Sequence, residues 1–533
     1  MYLQTNKGDR KMSSATNTLS IHTKNKKINL SKSLMIKGLQ CTKALWLKKY
    51  KKEVFTPPDA QILSVFETSN KVGEKACELF PNGKEVPYHN TSFEEKIALT
   101  QKWMDEGVEN IYEATFQYNG ILVMVDILHK TKDGWEIHEV KSSTWHSSKS
   151  VEDIGLYVYD AAIQYYVLTG CGLNITKTSI VLINSEYVRG ETLDVEKLFS
   201  IVPVDEEVAI FQEDIPLHLH SFKSVLEDTD NEPDVDIGRH CKNPYWCAAM
   251  EYCWKVQKKI PDYSVFDIFA MTKNSKAMQL YHEGILKVED IPDDFKLTDN
   301  QALTVNAWKT QKESIDKNEI QVFLDSIKYP IYHFDFETFQ EAIPTIAGTK
   351  PYEQLPFQYS LHIEHKDGTL VHKEFLAKHI GDPREELLKQ LITDIPKDAT
   401  LMAFNASFEK MVLKNLIKAF PKYQTHIDGL IENIIDLATP FKNKSYYLPQ
   451  MKGKYSIKIV LPLLVPEMKK AYKDLTLVSN GADAMNTFPK LKDMPSEERE
   501  LYRKALLDYC ELDTLAMVKI LAKLRDEVIS ECL

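Results

Sequence analysis

At 533 residues the chain is too long for one hydrophobic core, which calls for two large domains and a connector. Hydrophobic residues make up 43% and charged residues 27%, and no apolar run approaches the roughly 20 residues that span a bilayer, so a membrane protein is not expected. The net charge of -11 argues against a chain that coats nucleic acid non-specifically, yet it hides an asymmetry: residues 1–54 carry 13 Lys or Arg against Asp9 and Glu53, a net of +11.

Residues 1–30 are polar and rich in Lys, Asn, Ser and Thr, and read as a mobile basic tail. They lack the apolar core of a secretory signal, so a cytoplasmic location is expected, and Met12 reads as a more conventional start than Met1. From 31 to 260 the text is mixed helix and strand, with strands expected at Ile121–Leu128, Trp135–Val140 and Ser179–Ile183.

Glu113 to Lys141 reads as a hairpin with the spacing Asp126-x12-Glu139-Val140-Lys141. Adjacent strands can bring Asp126 and Glu139 around one metal, with Lys141 on the face of Glu139 and pointing at water or phosphate. The plainer reading is an alternation of charges on a solvated sheet face. The helical segment Asp160–Gly170 then presents Gln164. Together these residues resemble the RecB-like, PD-(D/E)XK nucleases. The resemblance implies a restriction-endonuclease-like α/β domain in which Asp126, Glu139 and Lys141 are catalytic and Gln164 supports the site. A histidine often found after the first glycine of that family is missing; Glu74 and Glu78 near Gly73, and Glu113, are the candidates for its place.

Cys241, Cys247 and Cys253 form C-x5-C-x5-C, and Cys41 stands far upstream. Zinc sites usually show C-x2-C pairs, and a disulfide framework does not suit a reduced intracellular enzyme. One remote cysteine plus a cluster of three resembles the [4Fe-4S] arrangement of RecB-like nucleases, with zinc as the alternative; the resemblance implies that four thiolates clip the two ends of the domain together. Cys77, Cys171, Cys510 and Cys532 read as ordinary core or tail thiols.

Residues 261–326 read as a helical connector, in which Lys276–Pro292 has a helix, glycine turn, helix rhythm. A second α/β domain, 327–533, opens with the apolar strand Ile331–Phe339. Asp335 and Glu337, two residues apart, project from one face of it, and two carboxylates on one face of an apolar strand call for a cation. Downstream, Ala403–Leu413 is a strand end followed by Asn405 and a helix start carrying Glu409. Within the helix Leu501–Leu524, Tyr509 and Asp513 form an i, i+4 pair.

This order of acid, acid, acid and Tyr-x-x-x-Asp resembles the DnaQ-like 3′–5′ exonucleases. The strings DFETF, FNASFEKMVLKNL, DLATPF and YCELDT look like a bacterial family of unassigned function expected to have the same RNase H-like fold. The resemblance covers essentially residues 327–525. It implies two-metal hydrolysis of a phosphodiester with magnesium or manganese, in which Asp335, Glu337 and Asp513 hold the ions and Tyr509 helps orient the attacking water. Glu409 departs from the Asp usual at the second motif, and Asp436 is a possible substitute ligand. The resemblance favours DNA, single-stranded or with free ends, over RNA, and Trp145, Tyr352 and Phe357 are candidates to stack on bases. An RNA-processing exonuclease and a decayed nucleic-acid-binding module are the rival readings.

Overall fold

The computed structural model describes residues 28–273, 275–378 and 380–529, so all but the end of the expected basic tail, and Cys532, lie outside the described residues. Two sheets organise the chain. The first is seven-stranded, with spatial order Lys84–Glu85, Asn110–Tyr118, Ile121–Lys130, Trp135–Trp145, Ile175–Asn184, Phe199–Pro203; the short strand Leu30–Ser31 runs parallel to the start of Ile121–Lys130. Asn110–Tyr118, Ile121–Lys130 and Trp135–Trp145 form an antiparallel meander, and Ile175–Asn184 joins Trp135–Trp145 in parallel, which a crossover helix must bridge. That helix, Leu156–Gly170, buries Val158, Ala161, Ala162 and Leu168 at helical spacing against the sheet. All three strands expected in this half are present, each extended at one or both ends.

The second sheet has the order Leu370–Leu376, Leu355–Glu364, Ile331–Phe339, Thr400–Ala403, Ile434–Asp436. Only Leu355–Glu364 runs against the rest, and all ten of its residues are buried because both of its faces are covered. Period-two alternation sorts Ile331–Phe339 into two faces. Tyr332, Phe334 and Phe336 enter one core with Leu387, Leu391, Leu401 and Val412. The intervening positions, Asp335 and Glu337 among them, face the other way. There the 34-residue helix Ser496–Ile529 crosses the sheet and buries Leu506, Ala516, Ile520 and Leu524.

The connector differs from expectation in two ways. Lys276–His282 is a helix and Gly284 turns at φ +81, but the second limb is only the single 3-10 turn Val288–Asp290, since Pro292 follows too closely for a helix to propagate. Its later part is no linker. Helices Asp299–Thr310 and Lys317–Asp325 contribute Ala307 and Ile320 to a core shared with Met402, Phe441 and Met517, and Ser314–Ile315 pairs with Tyr446–Tyr447. Asp299–Thr310 also gives Val305 to the connector's own core with Tyr263, Leu280 and Val288, so this helix joins the connector to the C-terminal unit.

The two halves touch. The Tyr352 hydroxyl donates to the Ser142 carbonyl at 2.5 Å, Arg189 donates to the Pro344 carbonyl at 2.8 Å, and Lys490 pairs with Glu67. No helix among the described residues is long and apolar enough to cross a membrane.

Candidate active site

Strand register and helix period together bring the C-terminal acids into one cavity of about 280 Å³, lined by Asp335, Glu337, Phe404, Phe408, Gly481, Tyr509 and Asp513 among others. Asp335 stands beside Ser360 and Glu337 beside Gln358 in the ladder. Tyr509 and Asp513, one helical turn apart, descend from the long helix. Glu409, in the first turn of Ser407–Ala419, is not among the lining residues, but its charge acts on both Asp335 and Glu337; it is 3% exposed and its Oε2 has no hydrogen-bond partner. Asp436 Oδ1 accepts the Asn405 and Ala438 amides at 2.8 and 3.0 Å, fixing the loop before that helix, and its charge lies close enough to Glu409 to raise it. Gly481 borders the acids closely enough that a Cβ there would stand 3.7 Å from Glu337 Oε2.

Burial and mutual repulsion dominate the electrostatics. Burial, followed by Asp513, Glu337 and Glu409, pushes the Asp335 carboxyl well above its usual range. Burial and Asp513 do the same to Glu337, and burial raises Glu409 to about 8. Burial also raises Asp513, against hydrogen bonds from Tyr472 and Tyr509. Four crowded carboxylates with an orphaned buried oxygen are a donor set that fits divalent cations, which are bound through oxygen and reverse this penalty. Tyr509 is driven upward by burial and the neighbouring acids, so its hydroxyl keeps its proton and serves as a hydrogen-bonding group rather than as a phenolate.

Three residues of this site carry no signal in the sequence. The Tyr472 hydroxyl donates to Asp513 Oδ1 at 2.5 Å. Lys458 Nζ lies 5.0 Å from the Tyr509 ring and 5.1 Å from the Tyr472 ring, and donates to the Ser479 carbonyl at 2.9 Å. Cys510, expected to be an ordinary core thiol, places Sγ 3.9 Å from Asp335 Oδ2, lying on the same helix between Tyr509 and Asp513. Phe357 corrects another expectation: it is fully buried and stacks on Phe488 with ring centroids 4.1 Å apart, so it presents no face to a base. Trp145 is partly exposed, and Tyr352 is half-buried at the contact with Ser142.

The N-terminal residues also meet. Glu139 is 1% exposed and accepts from Gln164 Nε2 at 2.6 Å and from Lys141 Nζ at 2.7 Å. Asp126 accepts the Val140 amide at 2.7 Å. Lys32, the first residue of helix Lys32–Gln40, donates to both Glu139 oxygens at 2.7 and 2.8 Å, and Lys141 also pairs with Asp160 at 2.7 Å. Burial opposes ionisation of Glu139, but the Lys141 and Lys32 ammoniums outweigh it and hold the carboxyl low; burial and Glu139 push Asp126 up to about 7. Of the three glutamates left open, Glu74 on helix Ala60–Ala76 and Glu78 in the 3-10 turn Cys77–Leu79 are both exposed. Glu113 interrupts the ladder opposite Asp126 at φ +55, a conformation rare outside glycine, and exchanges charge interactions with Lys32 and Glu139.

Cys41, Cys241, Cys247 and Cys253 line a common small cavity. Gln40 Nε2 donates to the His240 and Tyr245 carbonyls at 2.8 and 2.6 Å, tying the first helix to the cysteine loop. Burial raises the thiols of Cys41, Cys247 and Cys253, the last to about 11, so a thiolate set here requires a cation.

Residues 332–456 match DUF2779, a domain of unknown function. The match contains Asp335, Glu337, Glu409 and Asp436 and stops before Tyr509. The chain is also similar to uncharacterised proteins of two mollicutes. It is 28% identical over 319 residues to UU173 of Ureaplasma parvum, covering 55% of this chain and 44% of that protein. It is 24% identical over 389 residues to MG366 of Mycoplasma genitalium, covering 66% and 57%. The chain thus spans about half the length of the curated relatives it matches.

Proposed function

We propose that the chain is a metal-dependent nuclease whose principal site is the C-terminal carboxylate cavity, with a second, RecB-like site in the N-terminal half. The single observation that carries the reading is the convergence of Asp335, Glu337, Glu409 and Asp513, from two helices and a strand, with one carboxylate oxygen buried and unpartnered. The strand order, with only the second strand reversed, supports an RNase H-like domain.

Asp335, Glu337, Asp513 and Glu409 would hold magnesium or manganese; the ions, when bound, activate water and neutralise charge on a phosphodiester. The remaining chemistry belongs to the protein. The Tyr509 hydroxyl, held at Asp513, orients the attacking water, while Tyr472 fixes Asp513 from its other side. Lys458 contributes a positive charge that acts on Glu337 and Asp513 and would favour a phosphate at the cluster. The charge of Glu409 acts on Asp335 from its helix start, which supports the longer side chain serving where an Asp is usual.

In the N-terminal site, Asp126 and Glu139 would share one ion and Lys141 would face the phosphate, with Gln164 and Lys32 holding Glu139 in place. The four cysteines fit an iron–sulfur cluster or zinc, either of which would clip the first helix to the segment after the sheet. DNA with single strands or free ends is the favoured substrate.

A time course on matched, end-labelled DNA and RNA strands with magnesium or manganese tests the reading. Cleavage of DNA that disappears in Asp335→Ala is expected; faster cleavage of RNA would move the chain to RNA processing, and binding without cleavage would support a non-catalytic module.

A further inference from the structure

Behind the acid cavity, under the same long helix, lies a set of side chains that the nuclease reading does not use. His362 on strand Leu355–Glu364, His372 on Leu370–Leu376 and Glu511 on Ser496–Ile529 offer ligand atoms that all lie within 4.8 Å of one another. We infer that His362, His372 and Glu511 form a site for one borderline transition-metal ion, of which zinc is the representative.

Each ring already has one nitrogen committed. His362 Nδ1 shares a hydrogen bond with Thr514 Oγ1 at 2.8 Å, and His372 Nε2 shares one with Ser360 Oγ at 3.0 Å. Ser360 and Thr514 are in turn bonded to each other at 2.7 Å, and both are fully buried. One nitrogen of each ring is thus fixed by an oxygen, as in the outer shell of metal-bound histidines, and the two rings, opposite each other on adjacent strands, stand with centroids 4.6 Å apart and 30° between their planes. His362 Nε2 and His372 Nδ1 remain, and His372 Nδ1 stands 3.9 Å from Glu511 Oε1.

Two imidazoles and one carboxylate suit zinc and its neighbours, whereas magnesium prefers an all-oxygen shell. Zinc bonds of roughly 2.1 Å place tetrahedral ligands about 3.4 Å apart, so the three ligand atoms, within 4.8 Å of one another as they stand, close on an ion by side-chain rotation, for which Glu511, 45% exposed, is the freest. Burial and the neighbouring His372 and His333 lower His362 to about 4, which keeps its ring neutral and available as a ligand at physiological pH. Glu511 lies between Tyr509 and Asp513 in sequence, so the ion pins the helix carrying both to the two strands beneath it. The metal is structural with respect to the acid cavity, and its existence does not depend on nuclease activity.

The test uses the full chain, stripped with chelator, loaded with excess zinc chloride, desalted and assayed for zinc by mass spectrometry. His372→Ala should retain one zinc per chain fewer than wild type, Glu511→Gln should bind that zinc at least 10-fold more weakly in a calorimetric titration, and Asp335→Asn should keep it. Both altered side chains are partly exposed, and equal melting of wild type and variants in chelator confirms their folding. Equal zinc content and affinity in wild type, His372→Ala and Glu511→Gln would overturn the inference.

Discussion

Glu409→Gln isolates the energetic strain of the acid cavity. The Glu409 carboxyl is buried with one oxygen unpartnered, and burial, reinforced by Asp436, moves it from an ordinary 4.5 to about 8. Because the folded carboxyl holds its proton more tightly than the unfolded one, the stability this provides is fully present below about pH 4.5 and is lost as pH rises to about 8. At 1.36 kcal/mol per pH unit the loss is roughly 5 kcal/mol at most, and water entry with local relaxation reduces it to a few. Glutamine does not titrate, so it carries no charge to be desolvated at any pH. In chelator at pH 8.5, Glu409→Gln should therefore melt on the order of 5 °C above wild type, and the gap should close at pH 4.5. Magnesium should stabilise wild type and stabilise the variant less. Calorimetry across pH 4.5 to 9, with and without magnesium, reads all three. A variant that melts below wild type at pH 8.5, or a gap independent of pH, would refute the reasoning.

Tyr509→Phe should lower metal-dependent turnover by roughly 100-fold with little change in KM, as loss of a water-orienting hydroxyl predicts; an unchanged rate in single-turnover kinetics would remove that role. Run separately on end-labelled strands, Asp335→Ala and Lys141→Ala should each abolish a different activity, and one variant eliminating all cleavage would leave the proposal with one working site. Cys241→Ser should abolish the brown colour and near-visible absorbance expected of anaerobically purified protein; colourless wild type would eliminate the cluster. Phe334→Ala, which empties a fully buried ring position in the C-terminal core, should cost about 3–5 kcal/mol in a denaturant titration.

The parts of this fold that can be read in advance are those with a local period. Ile331–Phe339 is extended over its expected bounds because its apolar residues serve two covered faces, and the i, i+4 pair of Tyr509 and Asp513 follows from a long helix. Asp126, Glu139, Lys141 and Gln164 meet because each lies on a regular element whose period fixes its side. What stays hidden is long-range or aperiodic. Lys32 reaches Glu139 across 107 positions, and Tyr472 reaches Asp513 across 41 from an irregular segment. Glu113 cannot be singled out from sequence because its positive φ, not its neighbours along the chain, turns it toward Asp126. That Asp299–Thr310 serves both the connector's core and the next one is hidden for the same reason, since amphipathic helices look alike whichever core they join.

The most direct measurement is an anomalous difference map from crystals of the full chain grown with manganese. Two peaks about 3.5–4 Å apart, ligated by oxygens of Asp335, Glu337 and Asp513 with Glu409 facing them, are the predicted result. A map with manganese bound elsewhere and nothing among these carboxylates would contradict the account.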